Sequence, residues 1–176
     1  MAASPDAATA RAAPAEEFVI SRVFDAPRDL VWKAWTESER LLRWWGPKGC
    51  TLVSCTLDLR PGGIFHYHMR FPDGLDTWGK FVFREIVAPE RLIFVVSFSD
   101  EKGGVTRNPW NSSWPLEWLS TVTFEEQGGG TKLTVRWAPD VSATELERKT
   151  FADGRQGMQQ GWTGTLDRLS AYLAQA

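Results

Sequence analysis

The carboxy-terminal stretch from Ser142 to Ala174 constrains the fold more than any other part of this sequence. Met158, Trp162, Leu166, Leu169 and Leu173 recur there at helical intervals. Ser142 and Glu145 give the S-x-x-E pattern of a capping box, so one long helix with a single apolar face is expected. A face of that length must be buried against something equally long. The preceding residues offer only a sheet.

The chain begins with alternating apolar and polar residues in "FVISRVFDAP", which reads as a strand stopped by Pro27. Helical spacing follows at Leu30, Val31, Ala34 and Trp35, with Asp25 or Pro27 available to start the helix. Thr36 or Ser38 can cap a second short helix, in which Leu41, Leu42 and Trp45 share a face before Gly46-Pro47 ends it. Trp45 is then expected to be buried, and the adjacent Trp44 points elsewhere. A run of strands comes next: "CTLVSCTLDL", "IFHYHMRF", "DTWGKFVFREIV", "RLIFVVSF", "LEWLSTVTFEE" and "TKLTVRWAP". Turn residues separate most of them, and "QGGG" suits a hairpin between the last two. Short connections make an antiparallel meander. The exception is the long loop "SDEKGGVTRNPWNSSW", which carries Trp110 and Trp114 and has the length of a lid or binding loop. The expected fold class is therefore α+β, a curved antiparallel sheet wrapped around a long carboxy-terminal helix, with two short helices after the first strand.

A length of 176 residues suits one domain. Residues 1–16, rich in Ala, Pro and small polar groups, are expected to be a disordered tail, and 17–176 the folded domain. The net charge of -2, with acids and bases interspersed, provides no basic field for a phosphate backbone, so nucleic acid is not an expected partner. No apolar run is long enough for a membrane span and no secretory signal opens the chain, which makes the cytoplasm the expected location. Cys50 and Cys55, five apart in a strand, should face opposite sides and remain free thiols. Nucleotide, dinucleotide, nucleophile-elbow and zinc-protease motifs are lacking, and no cofactor or metal is expected.

Alternation assigns the inward face. It selects Phe65, Tyr67, Met69 and Phe71; Leu92, Phe94, Val96 and Phe98; Trp118, Ser120, Val122 and Phe124; and Leu133, Val135 and Trp137. Phe81 and Phe83 join them, with Trp78 near the rim and Glu85 as an inward acid. His66 and His68 fall on the outer face as solvated strand residues. Aromatic side chains between sheet and helix serve either as plain core or as the walls of a cavity. Ten Trp and ten Phe are many for one domain, and bulky rings around a single helix can leave a gap. The candidate ligand-binding residues are Trp44, Phe65, Tyr67, Met69, Phe81, Phe94, Trp110, Trp114, Trp118, Met158 and Trp162.

The order "RWWGP", "LRPGG", "FREIVAPERL", "STVTFEEQGGGTKLTV" and "GWTGTLDRLSAYLA" resembles the activator-of-heat-shock-protein-90-ATPase-like family of the SRPBCC (START-like) superfamily, from Phe18 to Ala174. The resemblance implies a helix-grip fold with a cavity between sheet and terminal helix. It also implies one of three roles: binding of a small hydrophobic molecule, aromatic, polyketide-like or lipid-like; regulation of a chaperone partner; or cyclase- or hydrolase-like catalysis. The Asn-Asn-Trp-His-Trp run of the eukaryotic activators is not found in this sequence. Acid-base chemistry would have only Tyr67 and Glu85 to draw on among the inward residues.

Overall fold

A computed structural model describes residues 17–176. The expected tail, residues 1–16, lies outside the described residues. The elements run β1 (Phe18–Phe24), α1 (Arg28–Thr36), α2 (Ser38–Trp44), β2 (Thr51–Leu57), β3 (Ile64–Arg70), β4 (Asp76–Val87), β5 (Arg91–Ser99), β6 (Val105–Thr106), β7 (Trp118–Gln127), β8 (Gly130–Pro139), α3 (Glu145–Asp153) and α4 (Arg155–Gln175). One antiparallel sheet is ordered β1-β8-β7-β5-β4-β3-β2, with β6 paired to β5 beside the main path. β1 and β2 are thus opposite edges, and α1 and α2 carry the chain from one to the other. The β7–β8 hairpin turns through Gly128 and Gly129, both at positive φ, as a two-residue turn matched to strand twist requires.

The apolar stripe of the last helix is buried as its spacing demands, with Met158, Trp162, Leu166, Leu169 and Leu173 against the sheet. The single long helix is, however, two. α3 ends at Asp153 and α4 starts at Arg155, with Gly154 as the cap between them. Gly154 also leaves room for the Trp114 ring, since a Cβ there would come within 2.8 Å of it. The capping box is also displaced by two residues. Thr144 accepts the Glu147 amide and Glu147 reaches back to the Thr144 amide, while Ser142 bonds Asp140 instead. Both readings were available in "SATELE", and the competing Asp140 contact decides between them.

Two bulges correct the alternation. In β2 the register slips between Leu52 and Ser54, so that Leu52 pairs with Met69 and Cys55 with Tyr67, both on the inner face. Cys50 and Cys55 are free, as expected, although parity was the wrong reason for it. Burial pushes both thiols above their ordinary pKa, which suppresses thiolate chemistry. In β4 the slip between Phe83 and Glu85 turns Glu85 outward opposite Ile93, where it pairs with Arg91. No inward acid remains at that position.

α2 differs from expectation in its buried face. Leu41 and Trp44 are buried while Leu42 is exposed, and Trp45 lies beyond the helix with extended backbone. Trp44 donates its indole N–H to the Ala34 carbonyl at 2.9 Å. That carbonyl belongs to the last turn of α1, where acceptors lack helical partners, so Trp44 closes one helix from the next. Gly46 then reverses the chain at φ +111°, a conformation that L side chains rarely adopt.

Candidate functional site

One end of the space between sheet and α4 is not filled. A cavity of about 320 Å³ is lined by Trp45, Gly46, Pro47, Tyr67, Met69, Phe71, Thr77, Trp78, Val96, Ser97, Phe98, Asn108, Trp110, Trp118, Trp137, Met158, Gly161, Trp162 and Thr165. Its wall is a nearly continuous girdle of rings. Tyr67 meets Trp45 at 6.1 Å between centroids, Trp45 meets Trp162 at 5.8 Å, Trp162 meets Trp137 at 5.4 Å, and Trp137 meets Trp118 at 5.5 Å. Phe98 continues from Trp118 at 6.0 Å, and Trp110 bridges Phe98 and Phe71 at 6.1 and 4.8 Å. Most are edge-on pairs, the geometry aromatic quadrupoles favour.

Local structure explains why these rings are held. Arg168 on α4 directs one guanidinium nitrogen to the carbonyls of Trp45, Gly46 and Pro47 at 3.3, 3.2 and 3.1 Å, tying the turn after α2 to the terminal helix. Trp45 is thereby fixed in the wall. On β4, Gly79 leaves room for the Tyr67 phenol; a Cβ at that position would lie 2.4 Å from the hydroxyl oxygen. The loop before β7 is more built than its sequence suggests. β6 pairs with Phe98 and Ser99, and the Asn108 carboxamide oxygen accepts the amides of Trp110 and Asn111. Arg107 bonds the buried Glu147 at 2.7 Å, fastening the loop to the start of α3. Trp110, 54% exposed, sits at the outer edge of the girdle.

Six of the expected residues line the cavity: Tyr67, Met69, Trp110, Trp118, Met158 and Trp162. Phe65, Phe81 and Phe94 pack behind the wall instead. Phe81 stacks on Phe94 at 4.1 Å and meets Phe65 at 5.1 Å, and all three are buried. Trp114 turns away from the cavity onto Phe151 at 5.2 Å and Trp118 at 6.0 Å. Trp44, expected to line the cavity, is instead fully buried and structural, while Trp45 is buried, as expected, and its ring forms part of the cavity wall. Trp137, Phe71 and Phe98 had been placed inward without being assigned to the site. A signal existed on the facing helix, where Gly161, one turn from Met158 and beside Trp162, lines the cavity without filling it.

Among the described residues, no charged side chain lines the cavity. Its one titratable group is Tyr67, whose pKa is pushed up to about 12 by burial. The Trp45 indole N–H faces the phenol oxygen and pulls the other way, short of a completed hydrogen bond. Because the ordinary value is 10.0, the unfolded chain loses this proton first. Folding should therefore weaken as pH rises from about 10 to about 12, where the unfolded state binds fewer protons. Tyr172 is the only other tyrosine. Subtracting the ultraviolet titration of Tyr67→Phe from that of the unaltered protein should isolate a phenol with a midpoint well above 10; a midpoint at the ordinary value would contradict the buried placement.

The histidines lie on the outer face, as expected, but are not simply solvated. His66 Nε2 is 3.1 Å from both Ser99 Oγ and the Asp100 carbonyl, and His68 stacks on Trp78 at 4.4 Å with Asp76 at 3.2 Å. Replacing both with glutamine should cost about 1 kcal/mol through lost hydrogen bonds and leave cavity binding unchanged. A large loss of ligand affinity in that double variant would overturn the assignment.

A single sheet closed on a terminal helix, with a charge-free aromatic cavity between them, defines an α+β helix-grip protein. Residues 25–174 match the family described as Activator of Hsp90 ATPase homolog 1-like protein, and the chain belongs to that family. Among solved structures, the chain is similar to a Nitrosomonas europaea protein at 25% identity and TM-score 0.73, covering 93% of this chain and 97% of the other. An Arthrobacter aurescens protein solved by NMR is 29% identical with TM-score 0.72, covering 92% and 88%. A Mycobacterium smegmatis protein is 27% identical with TM-score 0.69, covering 89% and 90%. No curated protein matches the chain significantly. Among the described residues, no helix is long and apolar enough to cross a membrane.

Proposed function

We propose that this protein binds a small hydrophobic molecule, aromatic or polyketide-like, in the cavity between the sheet and α4. The observation that carries this reading is a void of about 320 Å³ walled by aromatic rings and free of charged side chains. Its size lies at the lower end of the ~300–1,000 Å³ usual for ligand sites. Transfer of an apolar molecule into it removes surface from water on both sides, at roughly 25 cal/mol per Å². The cavity offers no acid-base pair, so the reading is one of binding rather than turnover.

The test is a thermal-shift panel of flavonoid, polyketide and fatty-acyl compounds, with native mass spectrometry of protein taken from the cells that make it. Binding should raise the melting temperature and quench tryptophan emission, because Trp45, Trp118, Trp137 and Trp162 line the site. If nothing in the panel shifts the transition and nothing co-purifies, cavity binding fails. A chaperone-regulating role, exercised through the outer surface, then becomes the better reading.

A further inference from the structure

We infer that the molecule bound in the cavity is a neutral aromatic carbonyl compound whose oxygen accepts a hydrogen bond from the Tyr67 hydroxyl. This rests on the cavity reading above and adds the chemistry of the occupant. The first argument is charge. A carboxylate or phosphate placed among these rings would lose its water and gain no counterion, a cost of several kcal/mol that ordinary contacts do not recover.

The second argument is the sense of the unengaged polar groups. Asn108 lines the cavity with its carboxamide oxygen already taken by two backbone amides, which leaves its N–H₂ as the available group. Thr165 directs its hydroxyl hydrogen to the Gly161 carbonyl and Trp137 directs its N–H to Ser120, so neither competes. Thr77 and Ser97 also line the cavity, with hydroxyls that can donate or accept. Tyr67 is a further donor. Its oxygen is faced by the Trp45 N–H, and its own hydrogen has no acceptor among the described residues. Tyr67 and Asn108 therefore offer hydrogens to the cavity, and the complementary ligand brings oxygen. Burial that holds the phenol protonated up to about pH 12 keeps Tyr67 a donor under any physiological condition.

The third argument is rigidity. The phenol lies against Gly79 and is packed by Phe65 at 5.1 Å, Phe81 at 5.9 Å and Trp45 at 6.1 Å. A donor fixed in this way selects for oxygen position, since an acceptor elsewhere on the ligand leaves the hydroxyl unsatisfied.

The matched probes are 9-fluorenone and fluorene, of nearly equal shape with and without the carbonyl, together with 9-fluorenone-4-carboxylate. Isothermal titration should show fluorenone binding about three- to tenfold more tightly than fluorene, the worth of one hydrogen bond to a buried donor. Tyr67→Phe should abolish that preference by weakening fluorenone alone, and the carboxylate should bind far more weakly than either. The infrared carbonyl stretch of bound fluorenone should move to lower frequency than in an apolar solvent, a readout that needs no variant. Equal affinity for the two neutral probes, a preference that survives Tyr67→Phe, an unshifted stretch, or tight binding of the carboxylate would each overturn the inference while leaving cavity binding intact. Failure of all three probes to bind would overturn the cavity reading and this inference with it.

Discussion

Replacing Trp44 with alanine should lower the free energy of unfolding by about 3–5 kcal/mol, the usual cost of emptying a buried aromatic site. The side chain is 0% exposed and meets Trp35 at 5.0 Å and Trp45 at 5.6 Å. Its removal also strips the Ala34 carbonyl of a donor at the end of α1. Trp44→Phe should recover most of the packing but not the hydrogen bond, and fall between the two. Urea titration gives the comparison directly. A midpoint unchanged in Trp44→Ala would mean that this residue does not hold α1 and α2 together.

Met158→Trp should have the opposite profile. Met158 lines the cavity from α4, and an indole there would occupy part of the 320 Å³ that a ligand needs. Overpacking of this kind typically costs 1–3 kcal/mol, here felt mainly by the complex, so ligand affinity should fall by about ten- to a hundredfold. The fold itself should lose much less, because the new ring enters open space rather than a filled core. Thermal shifts with and without ligand separate the two effects. An unaltered shift in this variant would place the ligand elsewhere.

The architecture was legible in the sequence because it follows from two periodicities, alternation in the strands and the stripe from Met158 to Leu173, and both survive in the structure. The site was legible only in part. Alternation says which face a residue occupies and not how deep it lies along the groove, so Phe65, Phe81 and Phe94 could not be told from Tyr67 and Met69. A bulge reverses parity without leaving a mark in composition, which is why Glu85 was misplaced. The misplacement of Trp44 has a similar origin. Helical spacing placed Trp45 with Leu41, but the helix stops one residue earlier, so Trp44 takes the buried position beside Leu41 and Trp45, also buried, is carried into the cavity wall by extended backbone. Trp114 was misassigned because a loop has no periodicity to say where its rings turn.

Glu147 ties two processes together. Its carboxylate both completes the cap of α3 and receives Arg107 from the loop that carries Trp110. Opening that loop breaks an ion pair whose Arg end is half exposed to solvent and whose Glu end is buried, so the barrier to exchange contains an electrostatic part that the cavity lacks. Release of an uncharged ligand should accordingly quicken as salt is raised, and in stopped-flow measurements Glu147→Gln should remove much of that dependence. Residence time in this protein would then be governed from the surface, by ions that never meet the ligand.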